Sequence, residues 1–405
     1  MATHRCRMDD PVSINEPDSA ADFGAIAETS ASELTVEDRG MLLGFWYPAL
    51  ESNVVRGHDL KPSMLLGVPL VIGRDARGRA FALRDSCPHR GMPLSAGRFD
   101  GQTVECSYHG WRFEGATGQC REIPSLTSRD KLRVDRIFAV SFPCEEQDGY
   151  FWVYVPEKRG GAYLTGAAGA AERPERPGAA DAVPPCPRLP VFSERYRITH
   201  LAADLPCHVD HGIIGLMDPA HGPFVHQAWW WRSRSSIHEK EKVFEPVPNG
   251  FRIRAHTPSS NAAFYRILGV YGEPITTKIE FVLPNMRFEE IRCGPKWFSS
   301  RTTVTPVDPV RCRINFCAAW NVFRSVPFIE PLFRIFGRQF IGQDQRTMER
   351  QAEGLKHNPN LMLIDDADRP AKWYFQLKQA HSESRRTGRP FEHPIPGPVT
   401  LRWRS

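Results

Sequence analysis

The sequence has 405 residues, of which 41% are hydrophobic and 24% are charged, and its formal net charge is +5. These values are typical of a globular protein with two or three domains, and they exclude a coiled coil or a wholly disordered chain. Lysine and arginine are scattered, so we expect no nucleic-acid partner, and no apolar run approaches the ~18 residues of a membrane span. The N-terminus lacks the apolar core of a secretory signal, which favours a reducing, cytoplasmic location where patterned cysteines bind metals.

The first half of the chain divides by composition. Residues 1–43 are polar and aperiodic, which predicts a disordered tail. Residues 44–157 contain short apolar runs separated by Gly, Pro and Asp, which predicts an all-β domain. Residues 158–188 are rich in Gly, Ala and Pro, which is typical of a linker.

The second half predicts a larger α+β domain over residues 189–390, followed by a C-terminal tail over 391–405. A helix is expected at about 203–220, and several alternating runs after it predict an antiparallel sheet with one covered face. Helical patterns follow at 328–355 and 371–384. We therefore expect helices packed on one side of a sheet.

Two short motifs in the β-rich domain carry metal-binding residues. "CPHRG" supplies Cys87 and His89, and "CSYHGWRF" supplies Cys106 and His109. Two thiolates and two imidazoles can bind zinc or a [2Fe–2S] cluster. Each motif contributes one Cys and one His, which suits a cluster held by two loops, each donating one ligand to each iron.

The stretch "DPAHGPFVH" (218–226) combines a carboxylate with two histidines. On an unbroken helix His221 and His226 would point about 140° apart, so they could not easily share a metal. Gly222-Pro223 is expected to bend the chain and to bring the two imidazoles together. Asp218, three residues before His221, either orients an imidazole on the same helix face or caps a local turn.

These motifs resemble the Rieske-type non-haem iron oxygenases, terminal (alpha) component. Within that family the similarity is to the branch that includes vanillate O-demethylase, dicamba demethylase and pheophorbide a oxygenase. The resemblance implies a Rieske [2Fe–2S] all-β domain and a helix-grip (START-like) catalytic domain. The motifs Cys87-x-His89 and Cys106-x-x-His109 would hold the cluster, while His221 and His226 would bind mononuclear Fe(II).

The third iron ligand is expected on the late helix "GQDQRTMERQ" (342–351), which resembles the family's pattern of Asp, Glu and Gln. That pattern selects Asp344, with Asp365 and Asp366 as rivals. The resemblance also implies that Asp218 bridges His221 to His109 of a neighbouring copy. The family often places Asn three residues before this Asp, and here the residue is Gly215.

The resemblance further implies a homotrimer, an NAD(P)H-dependent reductase with or without a ferredoxin, O₂, and an apolar, aromatic or cyclic substrate. The expected reaction is hydroxylation or demethylation, by monooxygenation rather than dioxygenation. One alternative is a Rieske electron carrier without oxygenation chemistry, and another is a zinc-stabilised binding module.

Overall fold

A computed structural model describes residues 40–156, 183–227, 234–258, 265, 268–323 and 326–405. Most of the predicted tail (1–39) and most of the predicted linker (158–182) lie outside the described residues. Residues 41–43, assigned to the tail from the sequence, are instead buried, because these three apolar side chains join the main core.

Short strands build the N-terminal domain, as the broken apolar runs predict. They are β1 (Phe45–Glu51), β2 (Lys61–Leu65), β3 (Val68–Arg74), β4 (Ala80–Arg84), β5 (Arg98–Phe99), β6 (Thr103–Glu105), β7 (Arg112–Glu114), β8 (Cys120–Glu122), β9 (Ser141–Phe142), β10 (Cys144–Gln147) and β11 (Tyr150–Val155). They form three antiparallel sheets with the orders β1-β11-β10, β2-β3-β4-β9 and β5-β6-β7-β8. The last of these sheets and the β4 end of the second carry the two Cys/His motifs.

The C-terminal domain is built on one eight-stranded antiparallel sheet with the order β12-β18-β17-β16-β15-β14-β13-β19. Its strands are β12 (Arg197–Leu205), β13 (Glu239–Val247), β14 (Gly250–His256), β15 (Ile275–Val282), β16 (Met286–Cys293), β17 (Lys296–Asp308), β18 (Arg311–Trp320) and β19 (Val399–Arg404). The terminal strand β19 pairs with β13. Residues 391–405 are therefore not simply a tail, because the alternating "VTLRWR" supplies an edge strand.

The helices among the described residues of this domain lie on one side of the sheet, and we call that face the inner face. They are α1 (Val209–Met217), α2 (Gly222–Val225), α3 (Ile329–Leu355) and α4 (Arg369–Thr387). Phe333 of α3 stacks on Trp320 with ring centroids 4.6 Å apart, and Tyr374 of α4 contacts Phe281. Among the described helices, none combines the length and apolarity needed to cross a bilayer.

The opposite, outer face is covered by the N-terminal domain. Strand β17 is consequently buried without interruption from Trp297 to Pro306, although one covered face was expected. The turn between β2 and β3 donates its Leu66 and Gly67 N–H groups to the carbonyls of Pro306 and Val307, at 3.0 and 2.8 Å. An alternating pattern cannot reveal a second covering layer when small polar residues occupy that face.

The predicted helix over 203–220 is wrong at both ends. Residues 197–205 continue a strand, and α1 starts only at Val209, where His208 caps it by accepting the Asp210 N–H. The helix ends at Met217 because Asp218 is extended, with ψ of 116°. This short helix places the following residues at the rim of the inner face.

A buried ion pair joins the two domains. The Arg301 guanidinium on β17 is 1% exposed and lies 2.8 Å from Asp148 Oδ2, in the β10–β11 turn. Arg301 also lies 4.5 Å above the Trp152 ring and donates to the Pro187 carbonyl. The same Asp148 carboxylate accepts the Leu189 N–H at 2.6 Å, so one carboxylate fixes the start of the second domain against the first.

We expect Asp148→Asn to destabilise the fold by about 3 kcal/mol, because it leaves the Arg301 charge buried and unpaired. Asn is the suitable replacement, since residue 148 has a φ of +49° that Asn tolerates. Urea unfolding measures the change. The matched control Asp204→Asn breaks the exposed pair with Arg313 and should cost less than about 1 kcal/mol. Equal losses in both variants would refute the special role of Asp148.

Candidate metal centres

Two loops of the N-terminal domain present the predicted cluster residues in the same backbone arrangement. In each loop the cysteine carbonyl accepts the N–H of the glycine four residues later, at 2.8 Å for Cys87 and Gly91 and at 3.0 Å for Cys106 and Gly110. Both glycines have positive φ, 72° and 70°. Because other residues pay a steric penalty there, the glycines allow both loops to turn back on themselves.

The four side chains of the two loops face one another. Cys87 and Cys106 are both buried, and the rings of His89 and His109 have centroids 4.6 Å apart. Burial raises the pKa of the Cys87 thiol to about 11, and the adjacent Cys106 adds to the rise. His109 Nδ1 is buried and has no hydrogen-bond partner within the described residues. A buried polar atom without a partner is costly, so this donor set fits a metal group between the loops.

Aromatic rings enclose the two histidines. Trp111 stacks on His89, with ring centroids 4.6 Å apart and planes only 5° from parallel. The ring centroids of Tyr108 and His109 are 3.8 Å apart. Phe113 is fully buried beneath Trp111. Trp111 and Phe113 thus pack on the His89 side of this centre, and Tyr108 packs against His109.

In the stretch 218–226 the backbone does not follow the bend expected from the sequence. The helix is already interrupted at Asp218, and Gly222-Pro223 begin the new one-turn helix α2 instead of kinking an old one. Proline is compatible with a first turn because its missing N–H would have no partner there. His221 precedes this helix and His226 follows it, so the two histidines flank a single turn.

The structure brings His221, His226 and Asp344 together. One ligand atom from each residue lies within 4.8 Å of the others. The two Nε2 atoms are 3.1 Å apart, and His226 Nε2 lies 3.1 Å from an Asp344 carboxylate oxygen. His226 is buried, while the other two side chains are about one-quarter exposed.

The proton positions follow from the partners of the opposite ring nitrogens. His221 Nδ1 lies 2.7 Å from the Asp218 carbonyl, and His226 Nδ1 lies 3.2 Å from the Gln343 side-chain oxygen. Oxygen acceptors place a proton on each Nδ1, which leaves both Nε2 atoms as acceptors. Burial also lowers the pKa of His221, which favours the neutral ring. Two lone pairs and a carboxylate thus converge, and this arrangement fits a cation.

Two supporting residues were not identified from the sequence. Gln343 accepts from His226, and Phe340 stacks on the His226 ring with centroids 3.6 Å apart. Phe340 lies one helical turn before Asp344 on α3, so the i, i+4 spacing on that helix was the available signal. Gln343 had no comparable signal, because its side chain need not share the face of Asp344.

The Asp218 carboxylate both caps a local turn and lies near the His221 imidazole, which are the two roles considered from the sequence. One carboxylate oxygen accepts the Ala220 N–H at 2.6 Å, as a turn cap does, and the other lies 3.7 Å from His221 Nδ1. Asp218 is not on one helix face with His221, because the chain is extended between them. Its side chain is about one-third exposed, so it can be reached from outside this chain.

The rival carboxylates lie elsewhere. Asp365 is largely exposed and pairs with Lys372 at 3.1 Å, and Asp366 accepts the Arg402 N–H. His200, from the upstream histidine group, bonds the Asp148 carbonyl. At Gly215, where the family often has Asn, an added Cβ would meet only the Met348 side chain.

Comparisons with known proteins identify the N-terminal domain and the fold of the chain. Residues 45–140 match the model of the Rieske [2Fe-2S] domain. Chlorophyllide a oxygenase of Chlamydomonas reinhardtii is 34% identical over 345 residues, which are 79% of this chain and 45% of the relative. Pheophorbide a oxygenase of Arabidopsis thaliana is 27% identical over 324 residues, covering 76% of this chain and 53% of the relative. The chain thus spans about half the length of these curated relatives.

Solved structures share the fold. Dicamba monooxygenase bound to dicamba has a TM-score of 0.64 at 20% identity, covering 84% of this chain and 98% of that one. NdmA of Pseudomonas putida with caffeine has a TM-score of 0.63 at 19% identity, covering 88% and 96%. The predicted fold class, a Rieske domain followed by a helix-covered antiparallel sheet, is confirmed.

The fold and the domain match define a two-domain Rieske protein. More specifically, the chain is similar to the Rieske non-haem iron oxygenase family, with 34% identity to chlorophyllide a oxygenase over 79% of its length. The Rieske domain implies a [2Fe–2S] cluster, and the family pairs this cluster with a mononuclear non-haem iron.

We expect Gly110→Ala to reduce the cluster content of the purified protein, because a φ of +70° costs alanine about 1–2 kcal/mol and its Cβ would press on Pro124. Iron and acid-labile sulfide per chain, with the visible spectrum, measure the effect. Gly78→Ala is the matched control, since Gly78 has a φ of +77° with open space around it, in a hairpin remote from both motifs. Full cluster content in Gly110→Ala would contradict the argument.

Proposed function

We propose that this protein is the terminal oxygenase of a multicomponent Rieske system. The observation that carries the proposal is the convergence of His221, His226 and Asp344 in a domain attached to a Rieske domain. A pure electron carrier needs no second group of this kind. Two histidines and one carboxylate on one face are the donor set of non-haem iron oxygenases.

In this proposal Cys87, His89, Cys106 and His109 hold the [2Fe–2S] cluster, while His221, His226 and Asp344 hold Fe(II). When bound, the cluster supplies electrons one at a time and the mononuclear iron offers open positions for O₂ chemistry beside a substrate. Two observations support these assignments: His109 Nδ1 is buried without a hydrogen-bond partner in the part of the chain that the structure describes, and the acceptor atoms of the triad converge.

The chain's own groups then orient and shield the triad. The Asp218 carbonyl and Gln343 hold the two Nδ1 protons, which keeps both Nε2 lone pairs directed at one point. Phe340 covers the face of the His226 ring and limits its access to water. Asp344 remains partly exposed, which leaves one side of the triad open to a ligand.

Asp218 is proposed to connect two copies of the chain. Its carboxylate is near His221 Nδ1 and partly exposed, so His109 of a neighbouring copy could donate to it. Repeated head-to-tail contacts of this type close into a ring, and we propose a homotrimer. Tyr108, the residue before His109 in the same loop, is 52% exposed, so this loop lies at the surface as a docking site requires.

Partners and substrate follow the same reasoning. The sequence has no dinucleotide-binding G-x-G-x-x-G after a strand, so NAD(P)H would act through a separate reductase, with or without a ferredoxin. The relatives are named for chlorophyllide a, pheophorbide a and dicamba, which supports an apolar, cyclic substrate that is hydroxylated or demethylated by monooxygenation. A cytoplasmic location is supported by the absence of disulfides among the nine described cysteines.

We expect His221→Ala to abolish substrate-dependent oxygen uptake while retaining the visible spectrum of the cluster. The substitution removes one donor of the triad and touches neither Cys/His loop. Oxygen consumption with a surrogate reductase and a panel containing chlorophyllide a, pheophorbide a and dicamba measures the loss. His357→Ala, an exposed histidine just beyond α3, is the control and should remain active. Product formation by His221→Ala would exclude this triad as the reaction centre.

We expect Gln343→Leu to weaken metal binding at the triad by about 10- to 100-fold, because it removes the acceptor that orients His226. Titration with Co(II), followed by its visible absorption, gives the affinity directly. Gln351→Leu lies on the same helix and is exposed, so its Co(II) affinity should equal that of the parent protein. If the two variants bind Co(II) equally well, Gln343 has no positioning role.

A further inference from the structure

Two buried cysteines of the C-terminal domain have their sulfur atoms in contact. Cys207 lies between β12 and α1, Cys312 is the second residue of β18, and the two Sγ atoms are 3.7 Å apart. We propose that this pair forms a reversible disulfide with hydrogen peroxide as the oxidant, and that the cross-link fixes α1 to β18. The proposal names a modification site and does not depend on the oxygenase function proposed above.

The sulfur pair belongs to the main core but lies close to the surface of the molecule. Cys207 is 5% exposed and Cys312 is fully buried. On either side of Cys207 in the chain, Pro206 is exposed and His208 is about one-quarter exposed. A small local opening therefore admits a reagent of the size of water, whereas a bulky disulfide reagent needs a much larger one. Hydrogen peroxide is an oxidant of suitable size.

Other buried cysteines of the same sheet have a different kind of partner. Cys293 Sγ donates to two backbone carbonyls, at 3.5 and 3.4 Å, and Cys317 Sγ donates to one at 3.7 Å. A carbonyl oxygen accepts a thiol proton but offers no second sulfur for a disulfide. Cys207 and Cys312 instead hydrogen-bond to each other, so each is the nearest reaction partner of the other.

The surroundings of Cys207 favour its thiolate, which is the form of cysteine that attacks an oxidant. The Cys312 thiol donates to Cys207 and lowers the pKa of Cys207, and the Gly212 N–H of α1 lowers it further, against the effect of burial. The same sulfur–sulfur hydrogen bond, together with burial, raises the pKa of Cys312. The pair thus consists of one nucleophile and one sulfur that keeps its proton.

The oxidation takes place in two steps. The Cys207 thiolate attacks one oxygen of hydrogen peroxide, which breaks the O–O bond and gives a sulfenic acid and a hydroxide ion. The hydroxide recovers the proton that Cys207 had released and becomes water. The Cys312 sulfur then attacks the Cys207 sulfur, and its proton leaves with the hydroxyl group as a second water. Two thiols and one peroxide are converted to one disulfide and two waters, and a dithiol reductant reverses the change.

Helix α1 is held on two sides, so the disulfide has to form without moving it. A Cβ added at Gly212 would lie 2.7 Å from Val304 Cγ1 and 3.0 Å from Cys312 Sγ, which shows that the helix already touches the sheet. One turn later Gly215 faces Met348 of α3. Disulfide formation brings the sulfurs closer by about 1.7 Å. Rotation of the two side chains and the bend before α1 supply this movement.

The cross-link would stabilise the segment that leads to the triad. Helix α1 ends at Met217, and Asp218 and His221 follow it directly, so a local opening of α1 also displaces these two residues. Cys207 and Cys312 are 105 residues apart in the chain. Closing a loop of this length restricts the unfolded chain strongly. The oxidised protein should therefore unfold at a higher temperature and hold a metal at the triad for longer.

The test treats the full chain, with its cluster, with hydrogen peroxide after complete reduction and removes the excess with catalase. Free thiols are alkylated in denaturant, and a non-reducing digest is analysed by mass spectrometry. We expect a peptide pair that joins Cys207 to Cys312 and disappears with dithiothreitol, while Cys293 and Cys317 are recovered as alkylated thiols. The midpoint of thermal unfolding should rise by about 5 °C or more on oxidation.

Two variants separate the pair from general oxidation. Cys207→Ala should lose both the cross-link and the rise in the unfolding midpoint, whereas the matched control Cys293→Ala should keep both. If Cys207→Ala does not fold, the digest of the parent chain still decides, because it identifies the joined residues directly. The oxidised parent, loaded with Co(II) after the peroxide has been removed, should also release Co(II) to EDTA more slowly than the reduced parent.

Three results would overturn the proposal. The parent chain yields no peptide that joins Cys207 to Cys312, or Cys293 and Cys317 are oxidised to the same extent, or the cross-link forms without raising the unfolding midpoint. Equal rates of Co(II) release from the oxidised and reduced protein would refute the effect on the triad. None of these measurements involves turnover, so a failure of the oxygenase assignment leaves their outcome unchanged.

Discussion

The mutual repulsion of three acceptor atoms is the constraint on which the helical layer of this protein depends. His221 Nε2, His226 Nε2 and an Asp344 oxygen lie within 4.8 Å of one another, and both imidazoles hold their protons at the opposite nitrogen. Three acceptor atoms this close repel one another unless a cation lies between them. The surrounding chain must therefore hold the three side chains in place. The interruption at Asp218 and the one-turn helix α2 do this with backbone geometry, while α3 contributes Asp344.

The two Cys/His loops also hold ligand atoms close together, and they do so with different sequences. In one loop the histidine is two residues after the cysteine, and in the other it is three, yet both loops close through the same cysteine-to-glycine hydrogen bond. The two loops have the same length from cysteine to glycine, so the histidine takes the third position in one and the fourth in the other, and the rings of His89 and His109 still lie with centroids 4.6 Å apart. Because the loops are equivalent in backbone and not in spacing, the spacing of either motif alone would not have predicted the pairing.

The site residues could be predicted from the sequence mainly by their residue types. Two short motifs combine Cys with His, and residues 218–226 combine two histidines with a carboxylate. Such combinations are uncommon, so the chemistry of these residues predicts that they lie together. Gln343 was missed because an amide that accepts one proton has no distinctive spacing. The two covered faces of β17 were missed because Ser, Thr and a buried Arg301 occupy a surface that packs on another domain, and an alternating pattern registers only apolar side chains. The sequence predicts a tail at 391–405 because one alternating run of six residues at the end of the chain does not indicate which strand it pairs with.

The two faces of the large sheet each carry an arginine–carboxylate pair, and the two pairs differ in burial. On the outer face Arg301 is almost fully buried, and Asp148, a carbonyl and the Trp152 ring neutralise it, so that its main effect is to hold two domains in one orientation. On the inner face Arg287 pairs with Glu289 at 3.1 Å, and both side chains are about one-fifth exposed. Removing one partner there leaves a charge that water can still reach, so the cost is smaller than at the almost fully buried Arg301.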